Sequence, residues 1–401
     1  MDADDMEADF RRESRKGPGA APAAPAAAPA GGPTLRERFR AAMQFRRVDR
    51  LPNFEFGYWA ETLPEWVEQG LPPGVKSEAE AYRHFGIENW GGVPLNTMGL
   101  EPGFGWTVVR ENEDEMIQRD NDGVLYQINK KGHKSIPHYL EFPVKGRADW
   151  EAFRERLKPG PERLAANWKE GAAALARRDH PVYIFRGSLI GKPRDWMGFE
   201  GIALAVHDDP DLLEEMVEHL CRLTCDSLAR ALPEMEVDAA MGWEDICFNS
   251  GPIVGAPFMR DVVLPRYRRI SDLLERHGCA LSMTDCDGNI MPVLDTFWRG
   301  GLNCCFPVEV NGGSDPVEIR RLYPDMRLQG GFCKMKLLQG RKAIRGELER
   351  LAPLVREGGF LPGVDHRVQA GVPLENYKYY LKLKRAMYGC GGTPEYDESK
   401  I

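Results

Sequence analysis

The sequence predicts an α/β fold, a parallel (β/α)8 TIM barrel, and three observations predict it. Short apolar runs end repeatedly in a charged or thiol residue and are followed by helical stretches: Val182-Tyr-Ile-Phe-Arg186, Val237-Asp-Ala-Ala-Met-Gly-Trp-Glu244-Asp245, Ala280-Leu-Ser-Met-Thr-Asp285-Cys286-Asp287-Gly288, Leu302-Asn-Cys-Cys-Phe-Pro-Val-Glu309, Met326-Arg-Leu-Gln-Gly-Gly-Phe-Cys333-Lys334 and Gly359-Phe-Leu-Pro-Gly-Val-Asp365-His366. Reactive groups at the carboxyl ends of successive strands are the layout of a barrel active site. From Pro181 onward strand and helix signals alternate with short connections, as in βα units. An open doubly wound sheet needs a Gly-rich phosphate loop after an early strand, and the sequence has none.

The elements follow in order. Residues 1–33 are rich in Ala, Pro and Gly; they bury too little apolar surface to offset ordering and read as a disordered tail. Thr34 with Glu37 makes a capping box for a helix Leu35–Phe45, and Phe39, Ala42 and Met43 share one face of it. Arg50-Leu-Pro-Asn-Phe-Glu-Phe56 reads as the first strand. Residues 106–130 alternate apolar and polar around an Asn121-Asp122-Gly123 turn and read as a small antiparallel β insertion. Ala165–Arg177 and Pro210–Leu232 are amphipathic, the second through Leu212, Met216, Leu220 and Leu223. Pro257 starts a helix well and Pro265 is expected to kink it. The barrel is expected over 34–392, with 393–401 a C-terminal tail.

The 401 residues suffice for one large barrel or two ordinary domains, and 42% hydrophobic content supplies a core. A net charge of −8 speaks against nucleic acid as partner. No apolar stretch nears the roughly 20 residues of a membrane helix, and the acidic start Met1-Asp-Ala-Asp-Asp-Met-Glu7 lacks a signal-peptide core. Nine scattered cysteines, an odd number, point to a reduced, cytoplasmic setting rather than a disulfide framework.

Asp285 and Asp287 are the densest acidic site. Two carboxylates two apart on an extended segment point to one side, so they hold a metal or keep one proton between them; the bland reading is an Asp-Gly turn capping the next helix. Cys286 is either a soft ligand or a buried small hydrophobe on the other face. Glu244 and Asp245 end another strand and serve as acid–base groups or as a cap. His366 beside Asp365 is a general base, an acid or a ligand, or a structural histidine. Lys334 is a Schiff-base amine or, with Glu309 and the other acids near, an ion-paired orienting group. Arg186 is an anion anchor. Asn53, Glu55 and Tyr58, in the aromatic stretch Asn53–Trp59, line a flat substrate pocket or pack the barrel. The chain has no Cys-x-x-Cys or His-x-x-x-His spacing, so a closed structural zinc site is not expected.

Taken together, the opening Leu35-Arg-Glu-Arg-Phe-Arg-Ala-Ala-Met43 with Arg47-Val-Asp-Arg-Leu-Pro52, then Glu244-Asp-Ile-Cys-Phe-Asn-Ser-Gly-Pro252, Asp287-Gly-Asn289, Gly330-Gly-Phe-Cys-Lys334 and Pro362-Gly-Val-Asp-His366 resemble the uroporphyrinogen decarboxylase superfamily from Thr34 to Tyr388. The resemblance implies a (β/α)8 barrel, often a homodimer, and either tetrapyrrole decarboxylation or zinc-dependent methyl transfer with a corrinoid. True decarboxylases carry an arginine-rich Arg-Gln-Ala-Gly-Arg segment where this chain has Asn53–Trp59 with Glu55 and no arginine. An ionised acid there repels a polycarboxylate by roughly several kcal/mol in a low dielectric. The zinc branch carries His-x-Cys-Gly and Pro-Gly-Cys where this chain has Asp285-Cys286-Asp287-Gly288 and Pro362-Gly363-Val364. Oxygen ligands there shift preference from zinc toward a harder divalent cation, held by Asp285, Asp287 and His366, with Cys286 as a fourth candidate. The expectation is a methyl or one-carbon transferase acting on a small molecule with a corrinoid on a partner protein. A uroporphyrinogen decarboxylase, a Schiff-base lyase using Lys334 and a non-catalytic corrinoid or tetrapyrrole binder are the rivals.

Overall fold

A computed structural model describes residues 32–93, 95–130 and 137–391. The expected tails fall outside these, apart from Gly32 and Pro33. Seven strands form one parallel sheet in the order β1 (Gly91–Gly92), β6 (Val182–Phe185), β7 (Ala239–Trp243), β10 (Ser282–Asp285), β11 (Cys304–Phe306), β12 (Arg327–Phe332), β13 (Phe360–Val364). Four more, β2 (Thr107–Glu111), β3 (Glu115–Arg119), β4 (Leu125–Asn129) and β5 (His138–Glu141), make an antiparallel sheet inserted after β1. It runs further than the sequence pattern suggested. Cys247–Phe248 (β8) and Gly251–Pro252 (β9) form a short hairpin after β7. Among the described residues no helix is long and apolar enough to cross a membrane.

The large sheet is an open half-barrel. The strand expected at Arg50–Phe56, which would complete the ring, does not form a ladder; among the described residues it has single bridges, Leu51 to Cys390 within it and Tyr58 to Val368 just beyond it. The reason is the side chain of Glu55. Its carboxylate accepts the Val364 N–H of β13 at 2.9 Å, so a side chain takes the place of a backbone acceptor along that edge.

The two faces of the sheet bury different sets, as the two-residue period of a strand requires. Ala239 and Met241 of β7, Met283 of β10, Cys304 and Phe306 of β11 and Leu361 of β13 form one cluster with Phe39, Met43, Leu51 and Phe54. Strands far apart in the sheet share that cluster, so the sheet curls around it. The helix Leu35–Met43 seals one end, its capping box intact at Thr34 and Glu37. Arg36, Arg40 and Arg178 tie that end to the buried Asp238. The alternate residues, among them Ile184, Ala240, Cys305, Leu328 and Val364, face the surrounding helices in a larger cluster. Helices Trp168–Leu175 and Pro210–Ala231 lie within the predicted spans. The predicted kink near Pro265 is a π-helical segment, Met259–Val263, that leads into helix Leu264–Arg276 with Pro265 in its first turn.

Candidate active site

Asp285 ends β10 on the inner face, two residues after Met283, with Trp243 and Phe306 as its register partners on either side. It is 3% exposed. Burial, then the nearby charges of Asp287 and Asp245, push its carboxyl well above the usual carboxylate range; Arg367 opposes them weakly. No described group hydrogen-bonds to its carboxyl, so burial and the neighbouring acids favour the protonated form of Asp285.

Asp287 has the opposite character. Burial works to raise its pKa, yet the bond and charge of His366, with Lys334 beyond, hold it below the usual value. His366 Nε2 lies 3.2 Å from Asp287 Oδ2. The turn depends on Gly288, at φ +74°, where a Cβ would fall 2.4 Å from the Cys247 carbonyl oxygen. Glu309 accepts the Gly288 N–H at 3.0 Å and the Lys334 ammonium at 2.7 Å. Asp365, fully buried, accepts the N–H groups of Lys334 and Val310; burial lifts it to about 6. His366 stacks on Trp59 at 5.5 Å and meets the edge of Phe56, which packs on Phe306 at 4.6 Å. His366 Nδ1 and Asp287 Oδ1 are buried without a hydrogen-bond partner.

The structure thus brings Asp245, Asp285, Asp287, Glu309, Lys334 and His366 together. Asp245 sits in the left-handed region at φ +43°, a conformation that costs a non-glycine residue about 1–3 kcal/mol. Its carboxylate is held by Arg194 at 2.9 Å, and burial raises its pKa.

Other expected site residues lie elsewhere; Glu244, Arg186 and Cys286 do so because they occupy the alternate face. Glu244 shares the parity of Ala240 and Gly242. It is fully buried and accepts the N–H groups of Leu189, Ile190 and Gly191 at 2.9–3.1 Å and the Ser188 hydroxyl at 3.2 Å. It caps the helix Gly191–Asp208 and points away from the pocket. Arg186 shares the parity of Ile184. Its guanidinium lies behind the sheet, donating to Met283 O and Thr284 Oγ1 at 3.2 and 2.6 Å and standing over the Tyr267 ring; burial lowers its pKa. Cys286 is 1% exposed in the helix-facing cluster, and burial beside Cys247 pushes its thiol up. Asn53 donates to Gly86 O at 3.1 Å. Glu55 pairs with Lys384 at 2.6 Å and accepts the Tyr380 hydroxyl at 2.8 Å. Tyr58 bonds Tyr377 and packs among Trp66, Tyr82 and Phe85. These three join the first segment to its neighbours rather than lining the pocket.

The metal expectation does not fit these residues. Cys286 faces the helices, Asp287 is engaged by His366, and among the described residues no group of three or more His, Cys, Asp or Glu side chains is arranged to hold an ion. Residues that sequence reasoning passed over include Arg367, which bonds Glu78 at 2.7 Å and stands over Phe56, and Arg194, which stands over Trp243 at 4.9 Å. Arg367 directly follows the Asp365-His366 pair and was open to notice; Arg194 sits in a helix with no local signal.

The half-barrel and this mouth define a class of α/β protein whose reactive groups sit at the carboxyl ends of parallel strands. No family model matches the chain, and no curated protein matches it. Among solved structures, a methyltransferase from Methanosarcina mazei is similar in fold, at TM-score 0.53 and 14% identity, with 89% of this chain and 99% of that chain covered.

Proposed function

We propose that this chain is a methyl-transfer enzyme of the uroporphyrinogen decarboxylase superfamily that removes a methyl group from a heteroatom of a small molecule. One observation carries the reading: a buried Asp285, its pKa raised and its carboxyl without a hydrogen-bond partner among the described residues, stands two residues from an Asp287–His366 pair at a mouth walled by Trp243, Phe306, Phe56 and Trp59. Breaking a methyl–oxygen or methyl–nitrogen bond leaves an electron pair on the heteroatom, and a positioned acid that protonates it lowers the barrier, typically 10²–10⁴-fold. Asp285 supplies that proton. The Asp287 carboxylate orients His366, whose ring bears on the substrate from the Trp59 side. Lys334, fixed by Glu309, completes the rim. A corrinoid on a partner protein, when docked, supplies the methyl-accepting nucleophile; no metal is needed for the proton step. The fold likeness to a methyltransferase supports this choice without specifying donor or acceptor.

The rival chemistries find less support. A tetracarboxylate needs free cations, and among the described residues the cations named at this mouth are paired: Arg194 with Asp245 and Asp195, Lys334 with Glu309, Arg367 with Glu78. The same ion pair at 2.7 Å occupies the Lys334 amine that a Schiff base would need.

The test follows methyl transfer from aryl methyl ethers and methylamines to free cob(I)alamin by its absorbance. Turnover by the wild type and its loss in Asp285→Asn are expected. Equal turnover by Asp285→Asn overturns the acid's role. Prompt coproporphyrinogen formation from uroporphyrinogen overturns the choice of branch.

A further inference from the structure

Two hollows adjoin at the end of the barrel opposite the mouth. One, of about 520 Å³, is lined by Phe45, Val317, Pro324, Pro353 and Leu354 together with three arginines and Glu357. Pro324 comes just before β12, and Leu354 lies in the last turn of helix Arg341–Glu357, which leads into β13. This hollow therefore sits at the amino ends of the strands. Val317 is 40% exposed, so apolar surface faces solvent there. Phe45 is held in place against its backbone preference: it occupies the left-handed region at φ +58°. Its ring lies under the guanidinium groups of Arg320 and Arg327 at 4.9 and 5.4 Å.

The second hollow, of about 570 Å³, begins at the next residue, Arg46. Arg38, Arg40, Arg46 and Arg47 line it, against Glu37 and Asp49. Arg38 is engaged by Asp49, and Arg40 by Glu236 and Asp238. Arg46 and Arg47 are exposed; Arg46 donates to the Gln44 side chain, and among the described residues neither has a carboxylate partner. Apolar surface beside two uncompensated cations fits a segment that is both apolar and acidic. Gly32 and Pro33 also line the second hollow, so the chain enters the described structure at its wall. Upstream, residues 2–10 read Asp2-Ala3-Asp4-Asp5-Met6-Glu7-Ala8-Asp9-Phe10: five acids, no cation, and two large apolar side chains four apart. At helical spacing Met6 and Phe10 share a face. The basic residues that follow, Arg11, Arg12, Arg15 and Lys16, are repelled by Arg46 and Arg47, which selects the residues up to Phe10 over those after it. A tether of the 21 residues from 11 to 31 reaches roughly 25 Å as a coil and further when extended. It holds the segment at an effective concentration on the order of mM.

We propose that this end of the barrel is a docking surface for the chain's own residues 2–10, with Met6 and Phe10 seated against Phe45 and Leu354 and the acids facing Arg46 and Arg47. The surface is remote from the mouth, and the proposal does not depend on the methyl-transfer reading.

The test places the photo-cross-linker p-benzoylphenylalanine at Phe10 in the full chain and maps its cross-links by peptide mass spectrometry. A cross-link within one chain to the stretches around Phe45 or around Pro353 and Leu354 is expected. Arg46→Glu/Arg47→Glu is expected to cut its yield about tenfold, the effect of reversing two exposed charges. Adding Asp4→Lys/Asp5→Lys to that variant is expected to restore it, which also shows that the variant keeps the fold. Salt at about 1 M, where the Debye length is about 3 Å, is expected to weaken the cross-link. Cross-links elsewhere, cross-links only between two chains, an unchanged yield in Arg46→Glu/Arg47→Glu, or no rescue by the charge swap overturns the proposal.

Discussion

Replacing Glu55 with glutamine leaves the Lys384 ammonium without its counter-charge where water does not reach. The two side chains are 1% and 0% exposed and 2.6 Å apart. Glutamine keeps one acceptor oxygen, which at the Oε1 position still serves the Tyr380 hydroxyl and Lys384, while its NH2 faces the Val364 N–H; the change removes the charge together with that one hydrogen bond. Removing one partner of a buried ion pair costs about 3–5 kcal/mol, because the remaining charge keeps its desolvation penalty without the attraction that offset it. Removing both charges with apolar side chains of similar volume is expected to recover most of that loss. Lys384 also donates to Phe54 O at 3.2 Å, so recovery falls short of complete. The assay is urea denaturation of the wild type, Glu55→Gln, Lys384→Met and the Glu55→Leu/Lys384→Met pair, followed by far-UV circular dichroism. A large drop is expected for each single charge removal, and a smaller one for the pair. An unchanged urea midpoint in Glu55→Gln, together with a raised KM for the methyl donor, would refute the reasoning and return Glu55 to the pocket.

Three further outcomes follow from the same geometry. The Asp285 carboxyl titrates higher folded than unfolded, so the unfolded chain loses its proton first and stability falls as pH rises from about 4 toward the folded pKa; Asp285→Asn is expected to flatten that decline in melts between pH 5 and 8 while abolishing turnover. His366→Asn removes the charge and bond that keep Asp287 acidic, so turnover is expected to drop on the order of 10²–10⁴-fold with the acidic limb of the pH–rate profile moved upward; an unshifted profile would exclude coupling between the two. At Gly242 a Cβ would lie 2.3 Å from Arg186 Cζ, so Gly242→Ala forces the buried guanidinium off Met283 O and Thr284 Oγ1 and is expected to cost about 3 kcal/mol in denaturant unfolding, with wild-type stability as the contrary result.

Much of the architecture was legible because it rests on local pattern. The capping box at Thr34, the helical spacing of Leu212, Met216 and Leu220, and the alternation around Asn121-Asp122-Gly123 are all written within one or two turns of chain. The strand ends were legible too, since Asp285, Asp287, Glu309, Lys334 and His366 follow apolar runs. What was hidden is which side of the sheet each residue takes. Arg186 and Glu244 end strands as plainly as Asp285 does, but their parity puts them behind the sheet, and parity is fixed by register rather than by type. The first strand was misjudged for a related reason: Glu55 meets β13 through its side chain, a long-range contact that no local pattern records. The Asp287–His366 bond likewise joins residues 79 positions apart, counting from 287 to 366.

The Glu244 cap has a bearing on what this protein can accept. The free amides that begin a helix are a ready berth for phosphate and other anions, and many barrels hold phosphorylated ligands in that way. Here the chain's own carboxylate already fills the berth at Leu189–Gly191, with all three amides engaged. A phosphate monoester would have to evict a residue of the protein to settle there, so the molecules it handles are those that carry no phosphate handle toward this helix.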